Sequence, residues 1–404
     1  MGWIAPAVVC GLLIIFLLQF RHASFPNLRY NTVDAMDEAD TVDPANTSLT
    51  EQHGHTRNLN DTHNSTLGFQ KVFAINLPAR TDKRDALVLS SKLTGFSLDF
   101  APGVDPSTIQ EKTLPHKYIS EHPERFEPGA YAAWRAHVNT IEQIVENDLE
   151  TVLIMEDDMD WDVRLKSQLR DFAVMSNAME ETSDSIGQID FDSIDLALTD
   201  TAPKSSSPYG DDWDVLWLGH CGQGISENYT YVVRTNDQTV PELEDVHMFM
   251  DMESKRLKPY PDHTRIAMTP LEATCTYAYA VSKKAARQIL LDLGLERINA
   301  AFDLMLREWC EGAFAAQGPP RKCFGISPPL FDMHRRAGMK KGESDIHESE
   351  IEDGFREEAE TFNIRQSVRK NLKALLDGGG NIADSYPDKV HVDEDRMLTN
   401  TISE

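Results

Sequence analysis

The chain is poor in cysteine, poor in positive charge and nearly free of long apolar runs. It has 404 residues and 5 cysteines, with no C-x-x-C pair and no zinc-type Cys/His spacing, which removes structural-zinc and thioredoxin-type readings. Lys and Arg total 39 against 66 Asp and Glu, a formal charge of −27. A balance that acidic excludes a duplex nucleic-acid binder, which needs a basic face. It leaves room for nucleotide ligands, because a divalent cation bridges acidic protein to acidic ligand. There is no internal repeat. Hydrophobic residues make up 41%, with 6 Trp, 10 Tyr and 17 Phe, so the chain is neither wholly disordered nor collagen-like, and it can bury one large core or two modest ones.

The one long apolar run is Trp3–Phe20, eighteen residues with no charge. As a helix rising about 1.5 Å per residue it spans roughly 27 Å, close to a bilayer core. It fits a signal anchor, with a cleaved signal peptide as the alternative. The flanking Arg21 and Arg29 run against the positive-inside rule for a lumenal C-terminus. The N-glycosylation acceptors Asn46, Asn60, Asn64 and Asn228 support the lumenal side. Cys221, Cys275, Cys310 and Cys323 allow two disulfides in three connectivities.

Residues 21–68 are polar and aperiodic and read as a glycosylated stem. Lys71–Leu77 (KVFAINL) is strand-like, Asp82–Leu93 helical, Ser97–Ala101 strand-like, Ala130–Asn147 an amphipathic helix and Thr151–Met155 (TVLIM) a buried strand. That alternation predicts an α/β fold with a central, mostly parallel sheet. Ser176–Asp212 reads as an acidic, partly exposed insertion. Val215–Leu218 and Thr276–Val281 continue the strands, Lys283–Leu293 and residues 300–310 read as helices, and Pro328–Met333 closes the domain near residue 346. The remainder, 347–404, reads as an acidic tail with one helix, Phe355–Leu376, ending at Gly378.

Glu156-Asp157-Asp158 directly follows the TVLIM strand. Three adjacent carboxylates repel one another unless water or a cation intervenes, and strand C-termini are where α/β sheets bind ligands. Hard oxygen donors select Mn2+ or Mg2+, either of which neutralises a diphosphate. The run Asn76-Leu77-Pro78-x-Arg80-x-Asp82-Lys83-Arg84 ends a strand and presents cations. Arg80 and Arg84 share a helix face and are candidates for a nucleotide or its phosphate. His137, within a helix, reads as a packing residue. His334 is a candidate further metal ligand. Asp303, at a helix start, serves either to complement the helix dipole or as a general base for an acceptor hydroxyl.

Taken together, KVFAINLPARTDKR, PGAYAAWRAHVNTIEQIVENDLETVLIMEDD, DVLWLGHC, TYAYAVSKKAARQIL, FDLMLRE and ISPPLF followed by GESDI resemble, in order, the glycosyltransferase 25 family of lipooligosaccharide and procollagen galactosyltransferases, over about residues 70–346. Ala136 stands where that family usually has Ser before the His, and the 176–212 insertion is long. The resemblance implies a GT-A-like domain, a UDP-sugar donor, inversion at the anomeric carbon and a glycan or protein acceptor. It places Asn76, Leu77, Arg80 and Arg84 at the nucleotide, Glu156, Asp157, Asp158 and His334 at the metal, and Asp303 as the base. A single-pass Golgi or ER protein with a lumenal catalytic domain follows, or a secreted one. A metal-assisted phosphoester hydrolase and an inactive membrane-anchored glycan-binding protein are the alternatives.

Overall fold

A computed structural model describes residues 58–115, 128–182, 186–195, 206–225, 228–247, 257–313, 321–346 and 354–389. The apolar run 3–20, the stem up to residue 57 and the acceptor Asn46 lie outside the described residues. Among the described residues no helix is long and apolar enough to cross a membrane.

In chain order the strands are β1 Lys71–Asn76, β2 Asp99–Pro102, β3 Thr151–Glu156, β4 Met159–Trp161, β5 Gly187–Asp190, β6 Val215–Gly219, β7 Gly222–Ile225, β8 Thr230–Arg234, β9 Arg265–Met268, β10 Pro270–Thr274, β11 Ala278–Ser282, β12 Cys323–Ser327, β13 Phe331–Arg335, β14 Gly338–Met339, β15 Phe355–Arg356 and β16 Glu360–Thr361. The helices are α1 Thr81–Leu93, α2 Pro128–Glu146, α3 Leu165–Glu181, α4 Lys283–Ile289, α5 Phe302–Cys310 and α6 Leu372–Leu376. Twelve strands form one sheet, ordered β2-β1-β3-β11-β6-β12-β9-β8-β5, with β13 pairing β4, β6 and β16 off that path.

The α/β expectation is met, and the architecture is consistent with a GT-A-like domain. The sheet is mixed. The β2-β1-β3 block is parallel, as are β6-β12 and β5-β8. β11 runs antiparallel to both β3 and β6. That reversal has a use: the segment entering β11 lies beside the C-terminal end of β3, where Glu156 donates its N–H to Tyr277 O at 3.1 Å.

Strand alternation builds two cores. Leu153 and Met155 of β3 face one side with Leu216 and Leu218 of β6, against Leu169, Phe172 and Met175 of α3. Val152 and Ile154 face the other with Val215 and Trp217, against Trp134, Val138 and Ile141 of α2 and Met305, Leu306 and Trp309 of α5. Sheet strands covered on both faces read as continuous apolar runs, which is why TVLIM and VLWL stand out in the sequence. The cysteines pair as Cys221–Cys275 and Cys310–Cys323, with Cα–Cα distances of 5.6 and 5.8 Å.

Three boundaries differ from the sequence reading. Residues 58–68 are not free stem: Leu67 is fully buried and its carbonyl accepts the Tyr209 hydroxyl. The acidic stretch begins inside α3, where buried Ser176 and Asn177 donate to Tyr209 O and Pro208 O, both at 2.8 Å. Its residues 183–185 and 196–205 lie outside the described residues. The expected long C-terminal helix is only the five-residue α6, and the segment before it is built into the domain. Asp160 and Asp332 are buried carboxylates that need donors. This segment supplies them: Thr361 Oγ1 and Arg369 N donate to Asp160 at 2.7 and 3.0 Å, and Asn363 Nδ2 donates to Asp332 at 2.8 Å.

Candidate active site

The site is a cleft of about 530 Å3 at the C-terminal ends of β1 and β3, the usual ligand position in such sheets. Backbone proximity shapes it. A Cβ on Gly103 would stand 2.9 Å from Leu77 N, and one on Gly129 would stand 2.7 Å from Ile346 O. Glycine therefore lets the β2 exit cross the end of β1, and lets the segment Gly342–Ile346 lie against the first turn of α2. One wall is apolar and small-sided, formed by Leu77, Val104, Pro106, Ala130, Ala133 and Ala136. The other carries charge: Glu156, Asp157, Asp158, Asp303, Glu343, Asp345 and Lys83.

The three turn carboxylates have different environments. The Glu156 carboxyl is pushed up to about 8 by burial and by the Asp158 and Asp157 carboxylates; it accepts from Thr276 Oγ1 at 3.2 Å. Burial also raises Asp157, which accepts from Asn76 Nδ2 at 2.8 Å. At Asp158 burial is outweighed by Lys83, and its carboxyl lies below the ordinary range. Lys83 Nζ lies 3.0 Å from Asp157 Oδ1, 3.2 Å from Asp158 Oδ2 and 3.2 Å from Asp345 Oδ2. Burial opposes its charge, but these three carboxylates outweigh it and raise the ammonium above its usual range. Arg80 bridges Asp82 and Asp345 through contacts of 2.9 and 2.5 Å.

The turn is also held from beneath. Arg369, half-buried, donates from Nη2 to Asp157 O at 3.0 Å and from Nε to Met159 O at 3.1 Å. His137 stacks flat on Phe302, centroids 4.5 Å apart, with Nδ1 2.9 Å from the Tyr279 hydroxyl; burial pushes its ring down to about 3. It is thus a neutral packing residue that also lines the cleft. Asp303 Oδ2, which also lines the cleft, accepts from Cys275 N at 2.8 Å, so the Cys221–Cys275 disulfide fixes the donor that orients this carboxylate.

The residues singled out in the sequence fall into three groups. Leu77, Glu156, Asp157, Asp158 and Asp303 line the cleft together. Asn76 is buried beneath it and acts on Asp157 rather than facing the space. Arg80 sits at the rim through Asp345. Arg84 and His334 are not brought to the cleft. The Arg84 guanidinium lies over the Phe100 ring, 3.8 Å from its centroid. The His334 backbone N–H donates to Asp158 O at 2.8 Å, but its ring turns to Thr361 Oγ1 at 2.9 Å and to Asp160 at 3.7 Å. Its strand pairing with β16 aims the ring at the C-terminal segment rather than into the cleft. Lys83 and Arg369 carried no distinguishing signal. Lys83 was one cation in a basic turn, and Arg369 lies more than two hundred residues from its partners.

The turn suits a cation. Asp158 Oδ1 is buried with no hydrogen-bond partner, and the carboxylates around it outnumber the one lysine. Elsewhere among the described residues, Glu242, Glu244 and Asp245 hold carboxylate oxygens within 4.8 Å of one another. Lys389 occupies that group, 3.0 Å from Asp245 Oδ2 and in contact with Glu244, and none of its residues lines the cleft.

Comparison with known proteins supports a distant relationship to glycosyltransferases. The chain is 26% identical over 136 residues to procollagen galactosyltransferase 1 of Danio rerio, covering 32% of this chain and 21% of that protein. It is 23% identical over 111 residues to procollagen galactosyltransferase 2 of Homo sapiens, covering 26% and 18%. The matched stretch thus spans about a fifth of the length of these relatives. No family model matches the chain.

Proposed function

We propose that this protein is an inverting hexosyltransferase of the glycosyltransferase 25 type, moving galactose or glucose from a UDP-sugar to a hydroxyl of a glycan or protein. The observation that carries the proposal is a single cleft that brings together an acidic turn and the backbone-oriented carboxylate of Asp303. In this reading Asp158, through its unpartnered oxygen, and Asp157 hold Mn2+ or Mg2+. When bound, that ion supplies positive charge to the donor diphosphate and to the departing UDP. Lys83 and Arg80 add fixed positive charge at the same end of the cleft. The small apolar wall seats the flat base. Asp303 accepts the proton of the acceptor hydroxyl. The two disulfides and the exposed acceptors Asn60, Asn64 and Asn228 favour the secretory lumen, with Trp3–Phe20 as membrane anchor or signal.

The test is a donor screen with the full chain, with and without Mn2+. Transfer or acceptor-dependent UDP release from UDP-galactose or UDP-glucose is expected, and Asp158→Asn is expected to abolish it. Folded protein that turns over no nucleotide-sugar would sink the proposal. Phosphate release from simple esters would move it to hydrolysis.

A further inference from the structure

We propose that Asp345 is an internal competitor of the donor's diphosphate: a carboxylate that occupies the cations of the cleft suited to phosphate and must be displaced for an anionic ligand to bind. This rests on the transferase reading of the cleft but concerns a residue that reading does not use. A single oxygen, Asp345 Oδ2, lies 2.5 Å from Arg80 Nη1 and 3.2 Å from Lys83 Nζ. One anionic oxygen between a guanidinium and an ammonium is the arrangement a phosphate oxygen takes between the same groups. Asp345 is half-buried and lines the cleft. Its backbone is seated where Gly129 has no side chain: a Cβ there would stand 3.0 Å from Asp345 O. The carboxylate is therefore delivered by a segment packed against the first turn of α2, not by a free loop.

Displacement has a cause in the charges. Lys83 already faces Asp157 and Asp158, so the third carboxylate is in excess, and a diphosphate carries more charge than the one it replaces. The neighbouring Glu343 is the internal control. It lines the same cleft but is paired with Arg356 at 2.6 Å, so its charge is near the ligand without holding Lys83 or Arg80.

The experiment measures binding of inorganic pyrophosphate and of UDP by calorimetry in wild type, D345N, E343Q, K83M and the double variant K83M/D345N. D345N is expected to tighten both ligands about tenfold, a size typical of competing charged contacts. E343Q should change them less than about threefold, and the D345N gain should shrink in the K83M background, where only Arg80 is left for Asp345 to hold. Unchanged or weaker binding in D345N, or an equal gain in E343Q, overturns the proposal, as does a gain undiminished in K83M. Absence of sugar transfer with the pyrophosphate pattern intact would fail the transferase reading and leave this inference standing.

Discussion

Asp303 and His220 show how single side chains here are set by their partners. The Asp303 carboxylate is held by a backbone N–H, so Asp303→Asn keeps an acceptor for Cys275 while losing the ability to take a proton. In the proposed transferase this substitution is expected to lower kcat by about 10²–10⁴ and to leave donor affinity within a few-fold, which separate kcat and KM measurements would reveal. His220 is fully buried with Nε2 2.8 Å from Ile326 O, and burial pushes its ring from 6.5 down to about 4. The unfolded chain takes up a proton as pH falls below about 6.5, while the folded protein does so only near 4. His220 therefore contributes full stability above about pH 6.5, and that contribution is lost as pH falls toward 4. Buried carboxyls such as Asp332, pushed up to about 7, titrate in the opposite sense, so the readout is a difference. The stability advantage of wild type over His220→Gln is expected to shrink by roughly 2 kcal/mol in denaturant titrations run from pH 7 to 4.5.

Among the elements, those with strong periodicity and two-sided burial were readable in advance. β1, α1, β3, β6 and α5 fall within a residue or two of where apolar spacing puts them, because each buries its pattern against the sheet or in it. Glu156 to Asp158 and Asp303, singled out by their place at a strand end and a helix start, do line one cleft. The misses share another cause. Arg84 was read from its four-residue spacing to Arg80, but Arg80 precedes α1 and Phe100 captures the Arg84 guanidinium. His334 was assigned by its late position, and cross-strand pairing with Thr361 redirected its ring. The segment 354–389 looked like a tail because its contribution is polar and long-range. Its hydrogen bonds to Asp160, Asp332 and the carbonyls of Asp157 and Met159 leave no periodic trace. Arg369→Ala would leave two buried carbonyls unpaired, a loss of about 1–3 kcal/mol each. Donor affinity is expected to fall along with the unfolding midpoint, and Arg369→Lys, unable to fork to both oxygens, should recover only part of either.

For the whole molecule, stability and cleft geometry are joined through the disulfides. Cys221–Cys275 closes a separation of 54 residues and Cys310–Cys323 one of 13. On chain-entropy grounds these are worth about 4 and about 3 kcal/mol. Reduction is expected to lower the thermal midpoint, and Cys221/Cys275 double substitution to disturb turnover more than Cys310/Cys323, because Cys275 N–H is the donor to Asp303. Assays of enzyme and folding in matched oxidising and reducing buffers separate the two effects. The clamp of Arg369 on the acidic turn also imposes an order on biosynthesis. While the ribosome has delivered only the first 350 or so residues, every carboxylate of the cleft has been made, yet the guanidinium that steadies their turn has not. Any catalytic competence is thus postponed until late in translation, and a premature stop upstream of that arginine would yield a product with its acids in place but without the fork that ties the carbonyls of their turn.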